Sequence, residues 1–210
     1  MSHFQQEKFV EIASEYLNLT YSKKVFELGS YDINGSIKPL FSFNEYIGVD
    51  VSEGPNVDKV YDGVLKRVVE ITKGKWYKIY VTGHSLGGAS ALICTNRFEE
   101  EQFVVKACYT FGAPRPGGWK YANSFKTNVF RVRNNNDLVT KVPPTIIGYK
   151  HVGELCYIDR HGILRTGKVK WYVLFRNWIK GQFERFGDGL RDHSIGEYYN
   201  NLKKATRIHK

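Results

Sequence analysis

Residues Gly83-His84-Ser85-Leu86-Gly87-Gly88 have the types and spacing of a serine nucleophile held in a sharp turn. A β-prone run, Tyr77 to Val81, leads into it, and a small-residue, helix-prone run, Ala89 to Cys94, leads out. G-x-S-x-G gains its meaning from that strand–turn–helix setting. The chemistry accounts for the residue types. The backbone at such a nucleophile is strained, and the residues two before and two after it approach closely, so Gly83 and Gly87 are expected there for want of a Cβ. Ser85 Oγ then stands above the end of the strand. The following helix turns unpaired N–H groups and the positive end of its dipole towards any anion that forms. The N–H of Leu86 is the expected oxyanion donor.

A serine hydroxyl needs a base, and the base needs a third group to orient it. Asp137 closes the polar loop Asn134-Asn135-Asn136 after the strand-like run Asn128 to Val132, and His193 stands in Asp192-His193-Ser194 ahead of a last helix. An acid on a loop after a strand can reach a histidine from the carboxyl edge of a sheet. Other uses stay open at this point. Asp137 could cap its Asn-rich turn, and His193 could be a helix-start residue beside an N-cap Asp192. His151 and His161 are rival bases, although His161 lies in the turn Asp159-Arg160-His161-Gly162, which reads as solvated.

The elements that must position these residues alternate. Residues 2–20 read as an amphipathic helix on Phe4, Phe9, Ile12, Ala13, Tyr16 and Leu17. Strands follow at Lys24 to Leu28 and Tyr46 to Val51, with a brief helix at Ile37 to Phe41 between them. Next come a helix at Tyr61 to Val69, the strand and turn at the serine, and a helix to about Glu101. Strands at Val104 to Phe111 and Asn128 to Val132 complete the pattern. Helices alternating with near-continuous apolar strands indicate an α/β fold with a mostly parallel sheet covered on both faces.

Four motifs in order carry a resemblance over residues about 60–200: Gly83-His84-Ser85-Leu86-Gly87-Gly88; Tyr109-Thr110-Phe111-Gly112-Ala113-Pro114-Arg115; Asn135-Asn136-Asp137-Leu138-Val139 with Pro143-Pro144; and Tyr149-Lys150-His151-Val152-Gly153. This stretch resembles the class 3 lipase family, which implies an α/β-hydrolase fold with an atypical N-terminal part. Ser85, Asp137 and His193 follow the chain order of that fold's triad. The resemblance makes Ser85 the nucleophile, His193 the base that takes its proton and returns it to the leaving alcohol, and Asp137 the group that holds the imidazole. It makes His151 a packing residue. It also implies a second oxyanion donor on a loop after an earlier strand, usually a Gly followed by Ser or Thr, for which Gly29-Ser30 or Ser52-Glu53-Gly54 would have to stand in.

That earlier segment reads differently. Residues 24–58 resemble the first βαβ unit of class I S-adenosylmethionine-dependent methyltransferases: strand, Glu27, the glycine turn of Gly29 and Gly35, second strand, and Asp50 at its end. This resemblance implies Glu27, Gly29 and Asp50 as alternative cofactor-binding residues. The later strands that would complete the adenine pocket have no counterpart, so a structural fragment without a cofactor is expected. The domain reading is therefore 1–58, a methyltransferase-like fragment packed onto the same sheet, and 59–210, a lipase-like catalytic domain.

The expected function is hydrolysis of lipid carboxylic esters by a Ser-Asp-His triad, without cofactor or metal. The alternatives are a methyltransferase and a non-catalytic hydrolase fold that binds lipid. The formal net charge of +10 is spread rather than concentrated in one dense run, so it reads as solubility and no nucleic-acid partner is expected. Cys94, Cys108 and Cys156 are too few and scattered for a disulfide framework or a metal site. Met1 to Phe9 lacks the apolar region of a signal peptide, and no run of about 18 apolar residues exists. The expectation is a cytoplasmic protein with peripheral membrane contact. That contact would come from Trp171 to Phe186, where Trp171, Leu174, Phe175, Trp178 and Ile179 share a helical face and Arg176, Lys180 and Arg185 lie largely elsewhere. The same pattern also suits a core-facing helix.

Overall fold

A computed structural model describes residues 24–28, 45–50, 53, 59–60, 79–167 and 188–207. The chain divides into two units, Met1–Lys75 and Trp76–Lys210. In the first, β1 (Lys24–Leu28), β2 (Glu45–Asp50) and β3 (Lys59–Val60) form a parallel sheet in that order, with Lys24 opposite Glu45 and Val49 opposite Lys59. The helices expected at 2–20, 37–41 and 61–69, and the aromatic stretch 171–186, lie outside the described residues.

The second unit is built on a five-stranded sheet in the order β10-β9-β7-β5-β4. β4 (Ile79–His84), β5 (Val105–Phe111), β7 (Val129–Asn134) and β9 (Glu154–Ile158) are mutually parallel, and β10 (Leu164–Arg165) closes the edge antiparallel to β9. The serine turn leads directly into α1 (Leu86–Glu100), which crosses back to β5. A short hairpin-like pair, β6 (Gly117–Gly118) and β8 (Tyr149–Lys150), brackets the loops beyond β5 and β7, with α2 (Trp119–Ala122) after β6. The last described elements are α3 (Asp188–Arg191) and α4 (Ile195–Arg207).

Alternation along the strands splits the core between two faces. Val81, Cys108 and Val129 are neighbours in register, and they pack with Ala91 and Leu92 of α1 and with Val152. On the other face Val132, Cys156 and Ile158 pack against Tyr198 of α4, with Phe111 and Leu202 at the margin. Ile195, Tyr198, Leu202 and Ala205 recur at helical spacing, and each large apolar side chain so buried contributes about 1.5–3 kcal/mol. Cys108 and Cys156 are buried free thiols, and Cys94 is half-buried with its thiol pushed up to about 11, chiefly by burial.

β7 runs two residues further than the apolar pattern suggests, taking in Arg133 and Asn134. Asn134 is fully buried, which its polar side chain tolerates because it is bonded. Its Nδ2 donates to Asp192 O at 3.0 Å and its Oδ1 accepts from Asn201 Nδ2 at 3.0 Å. A strand rule based on apolar residues stops too early where hydrogen bonds replace packing. Among the described residues no helix is long and apolar enough to cross a membrane.

Candidate active site

Ser85 is the whole connection between β4 and α1. Its φ of 57° and ψ of −128° lie in a region that a residue with a Cβ occupies at a cost of order 1–3 kcal/mol. The backbone around it holds that conformation: Ser85 N donates to Phe111 O at 2.9 Å, and Ser85 O accepts from Gly88 N at 3.0 Å. The close approach expected at this turn is present, but its glycines are Gly83 and Gly88. A Cβ on Gly83 would lie 2.1 Å from Gly87 O, and one on Gly88 would lie 2.7 Å from Ala113 Cβ, whereas one on Gly87 would meet nothing within 4 Å. The helix is already turning at Leu86, so position 88 is buried and position 87 faces out. Leu86 opens α1, and its N–H is among the first-turn donors that have no helical partner.

Asp137 and His193 reach the serine from distant parts of the chain. His193 Nε2 lies 2.8 Å from Ser85 Oγ, across 108 positions of sequence. His193 Nδ1 lies 3.0 Å from both carboxylate oxygens of Asp137. A carboxylate only accepts, so Nδ1 carries the proton and Nε2 is left to accept from the serine hydroxyl. Asp137 is fully buried. Its Oδ1 accepts from Val139 N at 2.9 Å, and its Oδ2 accepts from the Tyr198 hydroxyl at 2.6 Å. Tyr198 in turn accepts from Asn134 N at 2.9 Å. Burial, then the Asp137 charge, push the Tyr198 phenol well above its usual range, so it remains a donor.

Several residues that sequence reasoning did not single out fix this line. Asp192 Oδ2 accepts from Asn135 Nδ2 at 2.9 Å and from Asn136 N at 3.1 Å. The segment bearing His193 is thereby tied to the loop bearing Asp137. Gly112, at φ 60°, touches both partners: a Cβ there would lie 2.7 Å from Asp137 Oδ2 and 3.1 Å from His193 Nδ1. His84 Nε2 donates to His193 O at 2.9 Å, and the two rings stack at 4.9 Å. Burial above all lowers His84 to about 4, so it is neutral beside His193. His84 and Gly112 do stand inside quoted motifs, but nothing in their spacing tells which neighbour they serve.

The rival histidines are occupied elsewhere. His151 Nε2 donates to Thr140 O at 2.8 Å, and burial, with the charges of Arg131 and Arg115, lowers the ring to about 3. His161 is exposed and accepts from Arg160 Nε. No group of three or more His, Cys, Asp or Glu suited to a metal occurs among the described residues. Glu27 and Asp50 lie on strands of the first unit, with side chains outside the described set. Gly29, Trp171, Phe175, Trp178 and, except for exposed Glu53, the candidate second oxyanion segments lie outside the described residues.

A mostly parallel sheet, a serine in a strand-to-helix turn at its carboxyl edge, an acid on the loop after β7 and a histidine before the last helix together define the α/β-hydrolase architecture. The chain belongs to the class 3 lipase family, whose model, described as lipase (class 3), matches residues 11–146. Ser85 and Asp137 fall within that match and His193 beyond it. The match also runs through residues 24–58, and the methyl-transfer alternative finds no support among the relatives. One of these is a secreted mono- and diacylglycerol lipase of Fusarium solani, 34% identical over 91 residues, covering 42% of this chain and 27% of that one. Another is a lipase of Rhizomucor miehei, 38% identical over 89 residues, covering 39% of this chain and 24% of that one. A solved structure of the Rhizomucor miehei lipase propeptide complex, a deletion mutant, matches with a TM-score of 0.50 at 24% identity, over 69% of this chain and 52% of that one. It shares the fold. The chain thus spans about a quarter of the length of these curated relatives.

Proposed function

We propose that the protein hydrolyses carboxylic esters of lipids, with Ser85 as nucleophile, His193 as general base and then acid, Asp137 as its orienting carboxylate and Leu86 N–H as an oxyanion donor. One observation carries the reading: the continuous line from Ser85 Oγ through His193 to a buried Asp137, at 2.8 and 3.0 Å, on a strained nucleophile turn. Ser85 Oγ attacks the acyl carbon while Nε2 takes its proton. The tetrahedral oxyanion meets the first N–H groups of α1, and the imidazolium is stabilised by Asp137. Nε2 then protonates the departing alcohol, and water repeats the sequence to release the acid. The catalytic residues fall in the lipase-like region 59–210, and residues 1–58 are read as a fragment that binds no cofactor.

The test is covalent labelling by a fluorophosphonate together with turnover of a short p-nitrophenyl ester. Wild-type protein is expected to label and turn over, and Ser85→Ala to do neither while melting at a similar temperature. Wild type that neither labels nor turns over would favour a lipid-binding protein without catalysis.

The location we propose is cytoplasmic, with peripheral contact to a lipid surface through Trp171, Phe175 and Trp178. The support is the aromatic face that they share in sequence and the basic residues beside it. Trp171→Ser combined with Trp178→Ser is expected to weaken liposome binding and leave soluble-ester turnover nearly unchanged. A joint loss of both, with a large fall in melting temperature, would place those tryptophans in the core.

A further inference from the structure

The face of the sheet covered by α1 carries charge that the proposed reaction does not use. Arg131 and Arg133 are two apart on β7 and so point to the same face as Val129. Thr110 on β5 is the register partner of Arg131. Arg115 enters from the loop after β5, where its guanidinium donates to Pro143 O at 2.7 Å and to Lys141 O. Three polar atoms in this corner are shut off from solvent and have no hydrogen-bond partner: Thr110 Oγ1, Arg115 Nε and Arg131 Nε. Among the described residues no carboxylate pairs with any of the three guanidinium groups. Arg133 Nε is bonded to Asn135 O at 3.2 Å, and its guanidinium lies 5.7 Å from the centre of the Tyr157 ring.

Their mutual repulsion is felt locally. Burial, then the charges of Arg133 and Arg115, lower Arg131 to about 10. The same three arginines, after burial, hold His151 down. Lys141 adds a further cation whose pKa is lowered by burial and by Arg133. Buried donors left unpaired are costly, and an unpaired N–H of a charged guanidinium costs more than that of a neutral group. Guanidinium forks suit the oxygens of carboxylates and phosphates.

We propose that Thr110, Arg115, Arg131 and Arg133 form a binding site for a small oxyanion, on the face of the sheet opposite Tyr198. The ligand chemistry is a compact set of anionic oxygens, supplied by free phosphate or by a carboxylate. It would accept from Arg115 Nε and Arg131 Nε and from the Thr110 hydroxyl, and would offset the charge that no described acid neutralises.

The experiment is thermal melting of the full chain in chloride at fixed ionic strength, with phosphate, sulfate or acetate added in exchange. A specific oxyanion at about 100 times its dissociation constant is expected to raise the melting temperature by roughly 5 °C or more. Arg131→Gln is expected to lose that rise and to melt no lower than wild type in chloride, because it removes an unpaired charge. A response to phosphate and sulfate alone names the phosphate source, and a response to acetate names the carboxylate. No anion-specific rise in wild type overturns the site, as does a rise that survives in both Arg131→Gln and Arg133→Gln. Arg133→Gln alone decides the matter if Arg131→Gln fails to fold. A wild type with no rise and an Arg131→Gln variant that melts much lower would mean that a carboxylate of the chain itself already fills the place.

Discussion

Gly112→Ala places one methyl group against the line between Asp137 and His193. The new Cβ would sit 2.7 Å from Asp137 Oδ2, 3.1 Å from His193 Nδ1 and 3.2 Å from His193 Cε1. A carbon needs about 3.5 Å from such neighbours, so the carboxylate and the ring must retreat by roughly 0.5–1 Å. Neither has slack: Asp137 is held by Tyr198 and Val139, and His193 by His84. A displacement of about 1 Å within a catalytic line costs on the order of 10²-fold. The alanine also sits at φ 60°, which adds about 1–2 kcal/mol of backbone strain. For a chain of this size that strain lowers the melting temperature by roughly 2–8 °C. The expected result is a folded variant whose kcat/KM on a soluble ester, and whose fluorophosphonate labelling rate, fall about a hundredfold. Gly148→Ala is the control, since φ is 88° there and a Cβ would meet nothing within 4 Å. It should show the strain and keep the activity. A Gly112→Ala enzyme within about threefold of wild type would refute the reasoning.

Tyr198→Phe removes the donor to Asp137 Oδ2 and the acceptor of Asn134 N together. A buried N–H left unpaired costs about 1–3 kcal/mol, so denaturant titration should show a loss of that size, with reduced turnover from a less firmly held carboxylate. An unchanged midpoint would remove Tyr198 from the support of the acid. Stability should also fall with acid in a particular window. His84 and His151, near 6.5 when unfolded, are lowered in the fold to about 4 and about 3. A depressed histidine leaves the unfolded chain binding more protons, so stability is full above about pH 6.5 and is lost as pH falls towards 4. With both rings contributing, the slope near pH 5 approaches 2–3 kcal/mol per pH unit. His151→Gln should remove about half of it, and a flat stability profile between pH 6.5 and 4.5 would contradict the burial of both rings.

Much of the catalytic turn was legible because it is local. Strand, serine and helix are contiguous from Tyr77 to Cys94, and a strained turn needs glycines within a few residues of it. Alternating apolar runs likewise announced a parallel sheet. The grouping of Ser85, Asp137 and His193 came from the family resemblance that four motifs carry, without any indication of what would hold them. Only the folded chain decided that. Asp192 clasps Asn135 and Asn136, Tyr198 backs Asp137, and His84 stacks on His193, all across 56 to 109 positions of sequence. Whether position 87 or 88 had to be glycine depended on which side of α1 meets Ala113. The same holds for the charges. In sequence the arginines are part of a diffuse positive balance, but sheet register sets Arg131 beside Thr110 and leaves their polar atoms unpaired. Periodicity and motif encode what a residue does to its near neighbours, whereas burial and partners across strands exist only once the sheet has closed over them.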